Sequence, residues 1–375
     1  MPSLGDVVRP LLAALLAAGL AACAAEPRGA CSQAQPLGSV CGFENPEDVA
    51  YAPQSNLLVV SQFRFLGGGG ALAGLTPGAD TPRTLWPSPT ATVENDGALG
   101  EPGCTPPDPE TFHPHGVFVD ARNDLYVVNH GGRESVEIFS LRGSGDAATL
   151  AWRGCIPLPA GTSGNDVAVG PDGRVVVSNY LKSMDSLWEN AKVGLGLATG
   201  DVLLWRRGAG WSRVPNTEAS AANGVALSFD GETLFYAETG SGKLVRIRLD
   251  GSERTEVEVP GAPDNLSWTT HGTLYLATHT SSLAFLGCLR GGACRSPWAL
   301  LEIDPETLSV DQVLAHDGEV VGAIASAQQV GPVVYLGAVF GDRIGVWRQS
   351  EDGAGSLWST LARAPWPASG SRASS

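Results

Sequence analysis

Positive charge is scarce in this 375-residue chain: 24 Lys and Arg stand against 39 Asp and Glu, for a formal net charge of −15. No basic stripe offsets the repulsion from phosphate, so nucleic-acid binding is disfavoured and a cation becomes the favoured partner. No Cys-x-x-Cys pair occurs, which argues against a thiolate zinc site. No Gly-x-Ser-x-Gly elbow occurs, which argues against a serine hydrolase. The Gly-rich stretch Gly67–Gly78, with its run Gly67–Gly70, has neither a Lys-Ser/Thr pair nor a helix start behind it, so it reads as a flexible loop over the channel and not as a phosphate cradle. Gly194-Leu-Gly-Leu-Ala-Thr-Gly200 lacks the preceding strand of a βαβ unit and does not make a dinucleotide site. The one long apolar run, Leu11–Ala22, is short for a membrane span.

That run follows Arg9 and ends in small residues, the pattern of an export signal over residues 1–22. Leu20-Ala-Ala-Cys23 resembles the lipobox of bacterial lipoproteins, which implies lipidation of Cys23. Ala24 in place of Asp implies, by the same resemblance, an outer-membrane or cell-surface anchor and not retention at the inner membrane. The alternative is a periplasmic or secreted protein cut near Ala22. With Cys23 lipidated, the membrane is met through the lipid alone, and no protein partner is expected. Residues 23–40 read as a linker, and residues 349–375, rich in Ala, Ser, Pro and Gly, as a frayed tail. Beyond Cys23 stand Cys31, Cys41, Cys104, Cys155, Cys288 and Cys294. An even number in an exported chain suggests three disulfides. One of the fifteen pairings joins Cys31 to Cys41, Cys104 to Cys155, and Cys288 to Cys294.

The body of the chain repeats. Glu47-Asp-Val-Ala-Tyr, His115-Gly-Val-Phe-Val, Asn165-Asp-Val-Ala-Val, Asn223-Gly-Val-Ala-Leu, Asp264-Asn-Leu-Ser-Trp and, more weakly, Gly322-Ala-Ile-Ala-Ser each open a run of alternating apolar residues. A turn and a second such run follow each one, which is a β-hairpin. The five intervals between 47 and 322 average 55 residues. A four-stranded propeller blade takes roughly 40–50 residues plus loops. The expected fold is all-β: a six-bladed β-propeller over residues 41–348 with a central channel. An amphipathic helix over Tyr180–Lys192, with Leu181, Met184, Leu187 and Trp188 on one stripe, is expected as a rim insertion.

Equivalent positions in the repeat form a ring around the axis. Glu47, His115, Asn165, Asn223 and Asp264 fill five of the six first slots, and Asp48, Asp166 and Asn265 add to the second. Asp and Asn are depleted in strands, so turn capping alone is a poor account of the series. The ligands are hard oxygens, as calcium prefers. Zinc on His113, His115, His130 and possibly His279 is the runner-up. His115 opens the first strand of its hairpin and His130 closes the second, so both imidazoles meet at one rim.

Phe112-x-Pro-His115-Gly-Val, Tyr126-Val-Val-Asn-His130, Ser135-Val-Glu-Ile-Phe139, Asn165-Asp-Val-Ala-Val-Gly-Pro171, Ala222-Asn-Gly-Val and Asp264-Asn-Leu-Ser267 resemble the paraoxonase/arylesterase family, over roughly residues 43–347. Gluconolactonases and strictosidine-synthase-like proteins share that fold but usually lack the His pair. The resemblance implies a calcium-dependent lactonase with side activity on aryl esters and some phosphotriesters, and two calcium ions. It implies Glu47, Asn165, Asn223, Asp264 and Asn265 around a catalytic ion. Asp48, Asp166 and a carbonyl near Val117 would surround a structural one. From its place beside the ring His115 is the expected general base, with His130 to orient it or relay the proton, and Glu47 or Asp264 as the alternatives for activating water; the resemblance makes His279 a pocket wall. Animal members close the ring with a Cys in the last strand. No Cys follows Cys294 here, so closure must rest on strand pairing.

The ring permits other readings. A sugar-lactone hydrolase of gluconolactonase type would prefer polar substrates. A non-catalytic surface propeller would use calcium only as a staple, but a staple has no need of two imidazoles. The apolar rim insertion favours lipophilic lactones, such as acyl-homoserine lactones.

Overall fold

The computed structural model describes residues 30–32, 34–64, 69–182, 187–289 and 294–349. The expected signal segment, Cys23, residues 65–68, Met184 and residues 350–375 lie outside the described residues, as does the side chain of Leu187.

Six sheets are arranged as the six blades of a β-propeller, antiparallel throughout except where the short outer strand Thr92–Val93 of blade two pairs parallel with Thr149–Pro157. Their innermost strands are Pro46–Ala52, Pro114–Val119, Ser163–Val169, Ala222–Leu227, Ala262–Trp268 and Ile324–Val330. Each forms a hairpin with the strand behind it. In all six turns one residue has positive φ: Asn56, Asn123, Gly173, Gly231, Gly272 and Gly331. Asn and Gly tolerate that conformation, which is why one or the other stands between the apolar runs of every hairpin. The alternating runs bury their Val, Leu and Ile side chains between neighbouring blades, as where Val128, Val136 and Ile138 of blade two meet Val167 and Val177 of blade three.

The ring closes by strand pairing, as expected in the absence of a late cysteine. Leu37–Cys41 is the outermost strand of blade six and pairs antiparallel with Arg343–Arg348, from Leu37 opposite Trp347 to Cys41 opposite Arg343. The linker expected up to residue 40 therefore ends sooner, and the propeller begins at Leu37. Cys31 is bonded to Cys41, Cys104 to Cys155 and Cys288 to Cys294. Within the stretch expected to be a loop, Ala71–Leu75 is a strand of blade one, held by pairing with Leu57–Gln62. The rim helix is also shifted. Leu181 belongs to strand Val175–Leu181, held there by pairing with Ser163, and the helix α1 spans Leu187–Gly194. A second rim helix, α2, spans Ser282–Cys288.

One irregularity builds the axis. In every blade the first hairpin slips by one residue near the start of its inner strand, for example between Pro46 and Val49, Pro114 and Val117, and Gly164 and Val167. Such a β-bulge leaves its extra residue unpaired and re-aims side chains. The bulged pairs are Glu47-Asp48, His115-Gly116, Asn165-Asp166, Asn223-Gly224 and Asp264-Asn265. In blade six the slip falls between Ile324 and Ser326, so Ala325 occupies the slot assigned above to Gly322.

Glycine alternates with acid in the second slot for a steric reason. A Cβ on Gly116 would lie 2.6 Å from the Cα of Asp166, and one on Gly224 would lie 2.6 Å from the carbonyl oxygen of Asp264. Gly116→Ala should therefore cost about 1–3 kcal/mol by overpacking. A thermal melt should show a lower midpoint than for Gly194→Ala, where no atom lies within 4 Å of the added carbon.

Candidate active site at one end of the axis

The bulges bring the expected acidic ring together. Glu47, Asp48, Asn165, Asp166, Asn223, Asp264 and Asn265 are all buried. Asp48 accepts hydrogen bonds from the amides of Val49 (2.8 Å) and, in the next blade, Val117 (2.7 Å). Asp166 does the same with Val167 (2.7 Å) and Val225 (2.8 Å). These two carboxylates staple blade one to two and blade three to four. They also cap the inner end of a cavity of about 640 Å³ along the axis, with Arg122, Phe229 and Gln328 among its lining.

The upper part of the ring is different. Asn265 Nδ2 donates to Glu47 Oε1 at 2.9 Å, and Asn223 Nδ2 donates to Thr239 Oγ1 at 3.0 Å. These bonds orient the amides and leave their oxygens over. Glu47 Oε2, Asn165 Oδ1, Asn223 Oδ1 and Asn265 Oδ1 are buried without a hydrogen-bond partner. Four orphaned hard oxygens in one ring are costly unless something positive meets them. Burial, followed by Asp48, Asp264 and Asp166, pushes the Glu47 carboxyl well above the usual range. Burial and Asp48 do the same to Asp166, and burial raises Asp48 to about 6. The donor set suits a hard cation such as calcium. No group of three or more His, Cys, Asp and Glu side chains forms a metal cage among the described residues. Here the amides Asn165, Asn223 and Asn265 supply most of the free oxygens.

The imidazoles gather around Phe63. Its ring lies 4.6 Å from His113, 4.5 Å from His115 and 6.1 Å from His130. His115 Nδ1 and His130 Nε2 are 2.9 Å apart, so the expected pair is in contact. His115 Nε2 lies 3.8 Å from Glu47 Oε1, at the edge of the oxygen ring. Burial, then the neighbouring His130 and His113, holds the His115 pKa well below its usual value, so this imidazole is neutral. His113 falls to about 4 for the same leading cause. Its Nε2 accepts the amide of Arg64 at 3.0 Å. With that nitrogen used, and His115 and His130 bonded to each other, three free nitrogens do not converge as zinc would require.

Sequence reasoning missed Glu134. Its carboxylate lies 2.9 Å and 3.0 Å from His130 Nδ1 through its two oxygens. It follows the second strand in an irregular loop, where no periodicity marks it. Phe285 on α2 was missed too. Its ring is tilted against that of His279 at 4.5 Å and that of Phe340 at 5.3 Å. His279 Nε2 is 2.8 Å from Asp264 Oδ2, so His279 joins the ring from blade five. Trp188 is 66% exposed and does not wall the ring.

The fold and the ring define a class: a six-bladed propeller with an oxygen-rich axial site beside paired histidines. Residues 104–283 match the family described as the SMP-30/Gluconolactonase/LRE-like region. No curated protein matches the chain. Among solved structures, a gluconolactonase from Xanthomonas campestris is 17% identical with a TM-score of 0.55, over 86% of this chain and 98% of that one. A luciferin-regenerating enzyme is 11% identical with a TM-score of 0.53, over 83% and 94%. At such identities the likeness is one of fold. The family that matches is the wider one, so the narrower paraoxonase resemblance rests on its motifs alone.

Proposed function

We propose that the protein is a lactone hydrolase whose base is the His115/His130 pair. The observation that carries this reading is the placement of a buried neutral imidazole 3.8 Å from Glu47, beside four buried oxygens without partners. Glu47, Asn165, Asn223, Asp264 and Asn265 would hold one calcium ion, and Asp48, Asp166 and the Val117 carbonyl a second. A bound calcium ion supplies polarisation of the carbonyl and charge to offset the oxyanion.

The chain's own residues do the proton work. His115 accepts a proton from water as the water oxygen bonds to the carbonyl carbon. The ring C–O bond then breaks with its electron pair on the ring oxygen. That oxygen takes the proton back from His115, which leaves a hydroxy acid and a neutral imidazole. Phe63 and Phe285 shield the reacting atoms from bulk water and favour apolar substrates, such as lipophilic or acyl-homoserine lactones. Aryl esters, which undergo the same addition, are the expected side substrates, with phosphotriesters behind them. The sugar-lactone reading is supported by the family match over residues 104–283. An exported location with a lipid on Cys23 fits such a role.

The test is hydrolysis of γ- and δ-lactones, lipophilic and sugar-derived, before and after chelation. Activity lost on chelation and restored by calcium is expected. Absence of turnover on every lactone by folded, calcium-loaded protein would overturn the reading in favour of a binding propeller. The ratio between lipophilic and sugar lactones decides between the two substrate classes.

A further inference from the structure

We propose that Glu134 is the positioning residue that sets the tautomers of both imidazoles, so that the His115 nitrogen turned toward Glu47 carries a lone pair. The proposal rests on the lactone-hydrolase reading for its kinetic consequence, but its structural content stands apart from it. A carboxylate can only accept hydrogen bonds. Both oxygens of Glu134 lie within 3.0 Å of His130 Nδ1, so that nitrogen carries the hydrogen. When each ring carries a single hydrogen, His130 Nε2 is then an acceptor. It takes the hydrogen of His115 Nδ1 across the 2.9 Å bond. His115 Nε2 is left with its lone pair, 3.8 Å from Glu47 Oε1.

The opposite assignment makes the importance of Glu134 plain. If His130 carried its hydrogen on Nε2, it would donate to His115 Nδ1. The only hydrogen of His115 would then sit on Nε2, facing the ring, and the base would become a donor. A single swap of tautomer thus turns the pair off without moving a heavy atom. Nothing on His115 itself prevents the swap: its polar contacts are with His130 and Glu47.

Glu134 is built to hold its place. Its carbonyl accepts the amide of Leu158 at 2.9 Å. Its Oε2 also lies 3.4 Å from the amide of Gly164, one residue before Asn165 in blade three. The loop around it does not depend on its side chain. Asn129 donates to the carbonyls of Gly131 (2.9 Å) and Arg133 (3.1 Å) and accepts the amide of His113 (2.8 Å). Arg133 is tied to the fully buried Glu137 at 2.7 Å. Glu134 can therefore be changed while the loop stays formed. The bland alternative is a partly exposed ion pair worth under about 1 kcal/mol.

The experiment uses Glu134→Ala, Glu134→Gln and Glu134→Asp in the full chain. Two readouts are taken: steady-state kinetics, and nitrogen NMR of protein labelled on its six histidines. The expected result for Ala and Gln is a fall in kcat of about 10²-fold. KM and the melting midpoint should stay near wild type. His115 and His130 should lose their Nδ1–H signature, and Asp should restore part of both. A kcat within threefold of wild type, or a loss of kcat with the two tautomers unchanged, overturns the proposal. If wild type hydrolyses no lactone, the functional reading fails, and the tautomer comparison alone decides the role of Glu134.

Discussion

His115→Gln is expected to lower kcat for lactone hydrolysis by about 10²–10⁴-fold, the usual loss when a positioned general base is removed. Gln fills much of the same volume against Phe63, whose ring lies 4.5 Å from the imidazole. Its amide can still bond to His130, but it cannot take a proton from water near neutral pH. The fold should survive, because none of the strand pairing of Pro114–Val119 runs through that side chain. Calcium should still raise the melting midpoint of the variant, which separates a lost base from a lost cation site. Retention of a near wild-type rate would move the base to Glu47 or Asp264, the carboxylates of the ring.

The blades were readable because each pairs a period-two apolar run with a turn that needs Asn or Gly at positive φ. Those two signals are local and repeat six times. Three features were not readable. The closing strand Leu37–Cys41 pairs with residues some three hundred positions later, and its five residues are too few for a pattern. The sixth bulge holds Ala325, and a methyl group in a ring of carboxylates and amides leaves no chemical mark. The rim helix was placed too early because Leu181, read as helical by its spacing, is claimed by strand pairing with Ser163.

At the site, residues in the repeat slot were legible and residues outside it were not. Glu47, Asn165, Asn223 and Asp264 announce themselves because polar residues recur where a strand should be apolar. His115 and His130 follow from hairpin geometry, which puts first and last residues together. Glu134 and Phe285 sit in a loop and a short helix whose placement depends on neighbouring blades. Glu134 reaches the amide of Gly164 in blade three, and α2 packs over Ala325 and Phe340 in blade six. Such contacts are tertiary, and no local rule encodes them. The alternation of Asp166 with Gly116 was in view as letters, but its cause is a 2.6 Å approach between blades.

Calcium is expected to stabilise the protein by about 3–4 kcal/mol at concentrations several hundred times its dissociation constant, which raises the melting midpoint by roughly 6–12 °C. The effect should grow with pH above about 6.5, and the sign follows from proton uptake. Glu47 and Asp166 have folded pKa values raised well above their ordinary range by burial, and Asp48 is raised to about 6. A raised carboxyl binds its proton in the fold after the unfolded chain has released it, so its favourable contribution is full below about pH 4 and is lost as pH rises through the folded value. His113 and His115 act the other way, because their folded pKa values are lowered. The unfolded chain gives up those protons near pH 6.5, so their contribution is complete above it. As rising pH ionises each raised carboxyl, its contribution is lost, and the cation-free protein should melt at progressively lower temperature. A bound cation meets the ionised carboxylates and removes that slope. Melting curves at pH 7 and 8.5, with calcium and with chelator, check both parts. Equal midpoints with and without calcium at each pH would mean that the four orphaned oxygens are met by water and that the ring is not a cation site.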